Sequence, residues 1–131
     1  MKKKGLLRLL SVLVLLVVAI VLFALWEGYI KSSSDELLSI VEEAGKYGLQ
    51  EQWEQARASL DRFDAKWKEM RDLWQAFIDH GEIDNISFSF ARARALADIE
   101  NLDNYAPEIY ALEEMLRHIP RRQMLTSGNL F

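Results

Sequence analysis

Two histidines and three carboxylates are the residues of this chain whose types and spacing could support chemistry. His80 stands between Asp79 and the acidic residues Glu82 and Asp84, and His118 follows 38 positions later. Such groups could bind a divalent metal, or could form a pH-sensitive latch because histidine titrates near neutral pH. The metal hypothesis lacks support from a His-x-x-x-His spacing. We therefore expect ordinary roles at helix ends, with both histidines at C-termini and Glu82 and Asp84 at a helix start.

Patterns typical of enzymes are missing from the sequence. It contains no Gly-x-Ser-x-Gly elbow, and its six glycines form no phosphate-binding loop. The absence of cysteine excludes disulfides, thiolate metal sites and thiol nucleophiles. A net charge of −4 argues against nucleic acid as a partner, since that would call for a basic patch. We predict no enzymatic activity and no cofactor.

An uncharged apolar run from Leu9 to Trp26 follows the basic cluster Lys2, Lys3, Lys4 and Arg8. As a helix the run would rise about 27 Å, close to the thickness of a hydrocarbon core. All 20 Asp and Glu residues lie beyond residue 26. This charge asymmetry predicts a cytoplasmic N-terminus (1–8), a transmembrane helix (9–26) and a domain outside the cytoplasm.

A cleaved secretory signal is the alternative for this segment. The apolar region of a signal usually runs about 7–15 residues and ends in a small-x-small site. Here the run is longer, and Leu22-Phe23-Ala24 has a bulky leucine where a small residue is required. Val17-Val18-Ala19 fits better but lies inside the run. We expect an uncleaved anchor, although both routes deliver the domain to the same side.

The first stretch beyond the anchor predicts a hinge and then a helix. Three consecutive serines after Lys31 are poor helix interior, which favours a bend over 27–33. The Ser-x-x-Glu pattern ending at Glu36 matches a capping box and predicts a helix start near Ser34. Gly48 is a natural C-terminal stop for that helix.

The next stretch has the strongest periodicity in the chain, and it predicts a helix over 49–79. Apolar residues alternate at spacings of three and four, with charged residues between them. The three tryptophans in this seam are most simply core residues, because each would bury on the order of 200 Å². The seam consists of Trp53, Ala56, Leu60, Phe63, Trp67, Met70, Trp74 and Phe77.

A third helix follows the link at His80 and Gly81, and it has apolar residues on two sides. One stripe is Ile83, Ile86, Phe90, Ala93 and Ala97; the second is Phe88, Ala91, Ala95, Ile99 and Leu102. A helix of this kind is either central in its bundle or partly covered by a partner. We expect the central position.

The last helix is expected to begin near Asp103 as its cap, with Pro107 in the first turn and Pro120 ending it. Its stripe is Ile109, Leu112, Leu116 and Ile119. The tail, 121–131, closes on Leu130 and Phe131, which we expect to dock onto the bundle. The whole pattern predicts an all-α protein: an N-terminal transmembrane helix and an up-down antiparallel bundle of about four helices over 34–120.

Two segments carry a resemblance to a known family. Residues 79–86, Asp-His-Gly-Glu-Ile-Asp-Asn-Ile, and His118-Ile119-Pro120 with the final Asn129-Leu130-Phe131 are similar to those of small bacterial proteins with a single membrane anchor. That family is catalogued as domain of unknown function four-three-six-three. The resemblance also includes the basic start, the apolar anchor and the tryptophan-bearing helix. It implies a short export-side helical domain and assigns no catalytic residues.

Together these features favour a structural or protein-interaction module. The expected contacts are Phe88, Leu130, Phe131 or the anchor itself. The expected partner is another membrane or envelope protein, or a second copy of the chain. The alternative is a bundle that senses a small ligand, pH or a metal and acts through a membrane partner, by analogy with exported four-helix sensors.

Overall fold

The computed structural model describes the backbone of residues 2–128 and the side chains of residues 3–121. Over that range the chain forms four helices: α1 (Lys2–Leu49), α2 (Trp53–Gln75), α3 (His80–Asp98) and α4 (Leu102–Gly128). The all-α prediction is confirmed. The expected docking of Leu130 and Phe131 lies outside the described residues.

The helices form an up-down-up-down bundle in which α1 and α3 each pack against α2 and α4. Long-range hydrogen bonds establish the antiparallel order: Trp74, late in α2, bonds to Ser33, and Tyr105, early in α4, bonds to Ala44. We call the end where α1 joins the bundle, near Ser33, the entry end. The opposite end, with the links 50–52 and 99–101, is the far end.

The first helix continues from Lys2 to Leu49 without interruption, so the predicted hinge at 27–33 and helix start at Ser34 are wrong. The serines there are satisfied inside the helix and across the bundle. The Ser33 hydroxyl donates to the Tyr29 carbonyl oxygen at 2.8 Å and accepts from Trp74 Nε1 at 3.2 Å. Ser34 Oγ donates to the Leu116 carbonyl oxygen at 2.5 Å. Both serines are buried, so they lie within the packed part of the helix and cap nothing.

The last helix continues past Pro120 to Gly128, so the predicted stop at Pro120 is wrong as well. Proline has no N–H for the carbonyl four residues earlier, which here belongs to Leu116. The hydroxyl of Ser34 supplies the missing donor to that carbonyl. The cap at the start of α4 is Asn101, whose Oδ1 accepts from the Asn104 N–H at 3.2 Å, and it replaces the expected cap, Asp103.

The second helix is shorter than its seam, ending at Gln75. Every predicted seam residue is buried except Phe77, which is 60% exposed. The expected core tryptophans are confirmed: Trp53, Trp67 and Trp74 are all buried, and the rings of the last two meet edge to face at 5.5 Å. The row of buried residues therefore ends at Ile78, in the link after α2, which is 3% exposed.

The links at the far end each place a glutamate in the left-handed region, Glu51 at φ 56° and Glu100 at φ 54°. Gly48, predicted to stop α1, lies inside the helix, one residue before its end. Glycine is needed at this position because the Tyr105 ring lies against its Cα, where a Cβ would overlap Cε1 of that ring. The Tyr105 hydroxyl donates to the Ala44 carbonyl oxygen at 2.8 Å, and burial raises the pKa of this phenol well above its usual range.

One of the four described helices is long and apolar enough to cross a membrane, by length and composition. It is α1, whose most apolar 18-residue window has a mean hydropathy of 3.2 and no buried residue. The 18-residue apolar window of α1 therefore lies outside the buried core of the bundle.

Candidate interaction surface

The second apolar stripe of α3 lies on the outside of the bundle, so the expected central position of this helix is wrong. Phe88 is 61% exposed, Ile99 at the helix C-cap is 69% exposed, and Ala91 and Ala95 between them are exposed. Leu102, the expected last member, is half-buried. We call Phe88, Ala91, Ala95 and Ile99 the α3 outer stripe.

The opposite side of α3 supplies its share of the core. Ile83, Ile86, Ala93 and Ala97 are fully buried, and Phe90 is half-buried, with its ring 4.9 Å from that of Phe63. A helix at one corner of a four-helix square contacts two neighbours, so only one side of it is covered. Both stripes of α3 look equally apolar in the sequence, and the bundle geometry decides between them.

Polar contacts on both flanks of α3 accompany the burial of its inner side. Arg94 forms an ion pair with Asp61 on α2. On the other flank, Arg92 and the Ser89 hydroxyl both donate to Glu108 Oε1 on α4 at 2.8 Å. Partial burial opposes ionisation of Glu108, but these two hydrogen bonds outweigh it and lower the pKa of the carboxyl.

The histidines occupy positions that differ from those expected. His80 is the first residue of α3, preceded by the N-cap Asp79, whose Oδ1 accepts from the Gly81 N–H at 2.9 Å. His118 lies inside α4, with its Nε2 3.7 Å from Glu114 Oε2. The interpretation of both histidines as C-terminal residues is therefore wrong. Glu82 does lie in the first turn of α3, as expected, whereas Asp84 is the fifth residue of the helix and lies beyond that turn.

A cavity of about 440 Å³ between α3 and α4 brings two of the candidate residues together. Glu82 and His118 both line it, whereas His80 and Asp84 do not. Among the described residues, no group of three or more His, Cys, Asp or Glu side chains is placed to hold a metal ion. The remaining lining is mainly apolar, with Ile86, Ala111, Met115 and Ile119.

A second exposed apolar surface lies at the entry end, and the sequence pattern did not suggest it. Leu73 is 46% exposed and Phe77, one turn later, 60% exposed. The Phe77 ring lies 4.1 Å from the Trp26 ring, and Tyr29 is 37% exposed beside it. The signal available in the sequence was the i, i+4 spacing of Leu73 and Phe77.

These features define an all-α up-down bundle on a long apolar helix, with an outward apolar stripe on its third helix. The family model described as Domain of unknown function (DUF4363) matches residues 25–130, and the chain belongs to this family. The matched range covers the bundle and omits most of the apolar segment. No curated protein and no solved structure matches the chain.

Proposed function

We propose that this protein is a single-pass membrane-anchored module that holds a partner protein outside the cytoplasm. The partner packs against the α3 outer stripe. The observation that carries the proposal is the exposure of Phe88 and Ile99, at 61% and 69%, on a helix whose other side is buried. It is an interaction module and performs no catalysis.

The anchoring part of the proposal is supported by the apolar segment of α1. No residue of its 18-residue apolar window is buried inside the bundle. The cationic residues 2–4 and Arg8 precede it, and all acidic residues follow it. The positive-inside rule then leaves the N-terminus in the cytoplasm and the bundle outside.

The partner that best fits the stripe is an amphipathic helix of another membrane or envelope protein. The α3 outer stripe spans about 17 Å from Phe88 to Ile99, enough for three turns of a second helix. The alanines at 91 and 95 allow close approach, while Phe88 and Ile99 anchor the two ends. Burying each of these large side chains would contribute about 1.5–3 kcal/mol.

Photo-crosslinking in membranes tests the interaction. p-Benzoylphenylalanine is placed at position 88 or 99 of the full chain, and at position 110 as the control, because Tyr110 is equally exposed, at 63%, but lies on α4. We expect a discrete adduct from positions 88 and 99 and none from position 110. Adducts of twice the chain mass from purified protein alone would mean that the partner is a second copy. Absence of adducts at 88 and 99, or an identical pattern at 110, would contradict the proposal.

Topology is tested by cysteine labelling, which is clean because the chain has no cysteine. Glu54, exposed in the first turn of α2, is replaced by cysteine in the full chain. We expect an impermeant maleimide to label Glu54→Cys in intact cells. Labelling only after membrane rupture would contradict the orientation, and the intact mass of the mature chain separates an anchor from a cleaved signal.

A second candidate function is small-ligand sensing, favoured by the cavity that Glu82 and His118 share. Micromolar zinc is the probe, with the melting temperature of the full chain in detergent micelles as the measurement. A specific site would stabilise the fold by about 2.7 kcal/mol at a hundredfold excess over Kd. We expect no shift. A zinc-dependent rise that His118→Ala abolishes would make sensing the leading function.

A further inference from the structure

The structure fixes the position of the apolar surface at the entry end along the axis of α1. We define this entry patch as Trp26, Tyr29, Leu73 and Phe77. The Phe77 ring contacts the Trp26 ring, with 4.1 Å between centroids, and Trp26 ends the apolar run of α1. Since α1 is one uninterrupted helix through this point, the link between α2 and α3 lies level with the end of the apolar segment.

The backbone of α4 also reaches the level of Trp26. Ser34 on α1 meets the carbonyl of Leu116 on α4, and the two helices run antiparallel. From that contact Trp26 lies eight residues along α1, about 12 Å, whereas α4 continues as helix for twelve residues to Gly128, about 18 Å. The end of α4 therefore passes the level of Trp26.

The side chains of the entry patch suit the boundary between lipid headgroups and acyl chains. Tryptophan and tyrosine concentrate there because their rings are amphipathic. Phe77 exposes 60% of its surface and Leu73 exposes 46%. Leu73 lies one helical turn earlier in the chain, about 6 Å further from the apolar run. On the adjacent flank, the groove between α1 and α4 has three basic residues that can meet lipid phosphates and two acidic ones: Lys31, Arg117 and Arg121, with Glu27 and Asp35.

We propose that the entry patch lies in the headgroup layer of the same bilayer that α1 crosses. The α2–α3 link is then a second membrane contact, and it holds the bundle at a fixed height and tilt. The inference rests on the proposed anchoring by α1. It identifies the lipid interface as the occupant, because the patch is continuous with the apolar segment through the contact between Trp26 and Phe77.

Spin labelling of two phenylalanine positions tests this. Phe77→Cys and Phe88→Cys carry a nitroxide in the full chain, reconstituted in vesicles of phosphatidylcholine and phosphatidylglycerol. The two side chains are matched in type and exposure, at 60% and 61%. Phe88 lies far from the apolar run. Its neighbour Ser87 is hydrogen-bonded to Trp67 on α2. Lys66, next to Trp67, pairs with Glu36 on α1, ten residues beyond Trp26. That distance along α1 is about 15 Å.

For each label, the measured quantity is the ratio of its collisions with oxygen to its collisions with a water-soluble nickel chelate. We expect this ratio to be several-fold higher for the label at 77 than for the label at 88. A third label, Leu16→Cys, lies in the middle of the apolar run and reports on the anchor. If 16 is shielded from nickel but 77 behaves like 88, the inference is wrong and the anchoring stands. If 16 is open to nickel, the anchoring itself fails. The far-ultraviolet circular dichroism of each variant confirms that it is folded.

Discussion

The two ends of the bundle are joined by reciprocal hydrogen bonds between α1 and α4. At the far end the Tyr105 hydroxyl of α4 donates to the Ala44 carbonyl of α1; at the entry end the Ser34 hydroxyl of α1 donates to the Leu116 carbonyl of α4. In both, a buried side chain satisfies a backbone acceptor on the neighbouring helix. A hydrogen bond from a hydroxyl to a backbone carbonyl thus fixes the register of the two helices at both ends.

The two ends differ in the space around the α1 glycines. At the far end Gly48 admits the Tyr105 ring, which also meets Trp53 edge to face at 5.3 Å. At the entry end, Gly28 has nothing near its Cα that a Cβ would meet within 4 Å, and Phe77 remains largely exposed. The surroundings of Gly48 are therefore filled by protein contacts, whereas Gly28 and Phe77 leave an open surface beside the apolar segment, which we propose to lie at the membrane interface.

The largest expected effect compares two seam residues at the entry end. Trp74→Ala should destabilise the fold by about 3–5 kcal/mol, because the fully buried indole leaves a cavity. Phe77→Ala should cost about 1 kcal/mol or less, since the ring is mostly exposed. Thermal unfolding of the full chain in detergent micelles, followed by circular dichroism, measures both. Equal losses would show that Phe77 belongs to the core.

A pair of glycine substitutions in α1 compares the two ends directly. Gly48→Ala should cost about 1–3 kcal/mol, because the new methyl group overlaps the Tyr105 ring. Gly28→Ala should be neutral, or stabilising by up to about 1 kcal/mol, because alanine is the better helix former and the site is open. The melting temperatures of the two variants provide the test. A destabilising Gly28→Ala would mean that the entry end is as tightly packed as the far end.

The entry-end hydrogen bond is tested by a double-mutant cycle between Ser34 and Pro120. Ser34→Ala should cost about 1–2 kcal/mol, because the Leu116 carbonyl then loses the donor that replaces the missing N–H of Pro120. Pro120→Ala restores a backbone N–H to that carbonyl, so the serine substitution should cost less in its presence. Additive free energies of unfolding would show that the hydroxyl does not compensate for the proline.

The far-end hydrogen bond should respond to alkaline pH, unlike its counterpart at the entry end. Tyr105→Phe should cost about 1 kcal/mol at neutral pH. Burial raises the pKa of Tyr105 in the folded state, so its contribution is complete below the unfolded value, about 10, and declines as the pH rises beyond it. Stability above that pH should therefore fall less steeply in Tyr105→Phe than in the parent. Parallel curves would exclude Tyr105 as a source of the decline.

The smallest effect concerns the far-end links, where two glutamates have positive φ. Glu51→Gly should stabilise the protein by about 0.5 kcal/mol, since glycine adopts φ 56° without the steric cost of a Cβ. The matched substitution Gln50→Gly, in the same link but without a positive φ, should give no gain. Melting curves of the two variants decide, and a gain from both would mean that the link is simply too rigid.

Much of the architecture could be predicted from local patterns, whereas the surfaces could not. The spacing of the seam predicted a buried Trp67 and Trp74 because apolar side chains three and four positions apart share a helix face. It failed at Phe77, which lies beyond the end of α2 and no longer shares that face. Phe88 was recognised as a candidate contact, but the exposure of its whole stripe depends on how α3 is rotated about its own axis in the bundle.

The sequence by itself determined the helical class, the number of helices in the bundle and the one apolar segment, since periodicity and composition act locally along the chain. Only the tertiary structure decided where α1 and α4 continue. Serine disfavours a helix interior because its hydroxyl competes for backbone hydrogen bonds, and proline does so because it removes a backbone N–H and crowds the preceding turn. Here Ser33 bonds to Trp74, and Ser34 bonds to the carbonyl that Pro120 leaves without a donor. Both partners come from elsewhere in the chain, so local preference is overridden by contacts between helices that form only on folding.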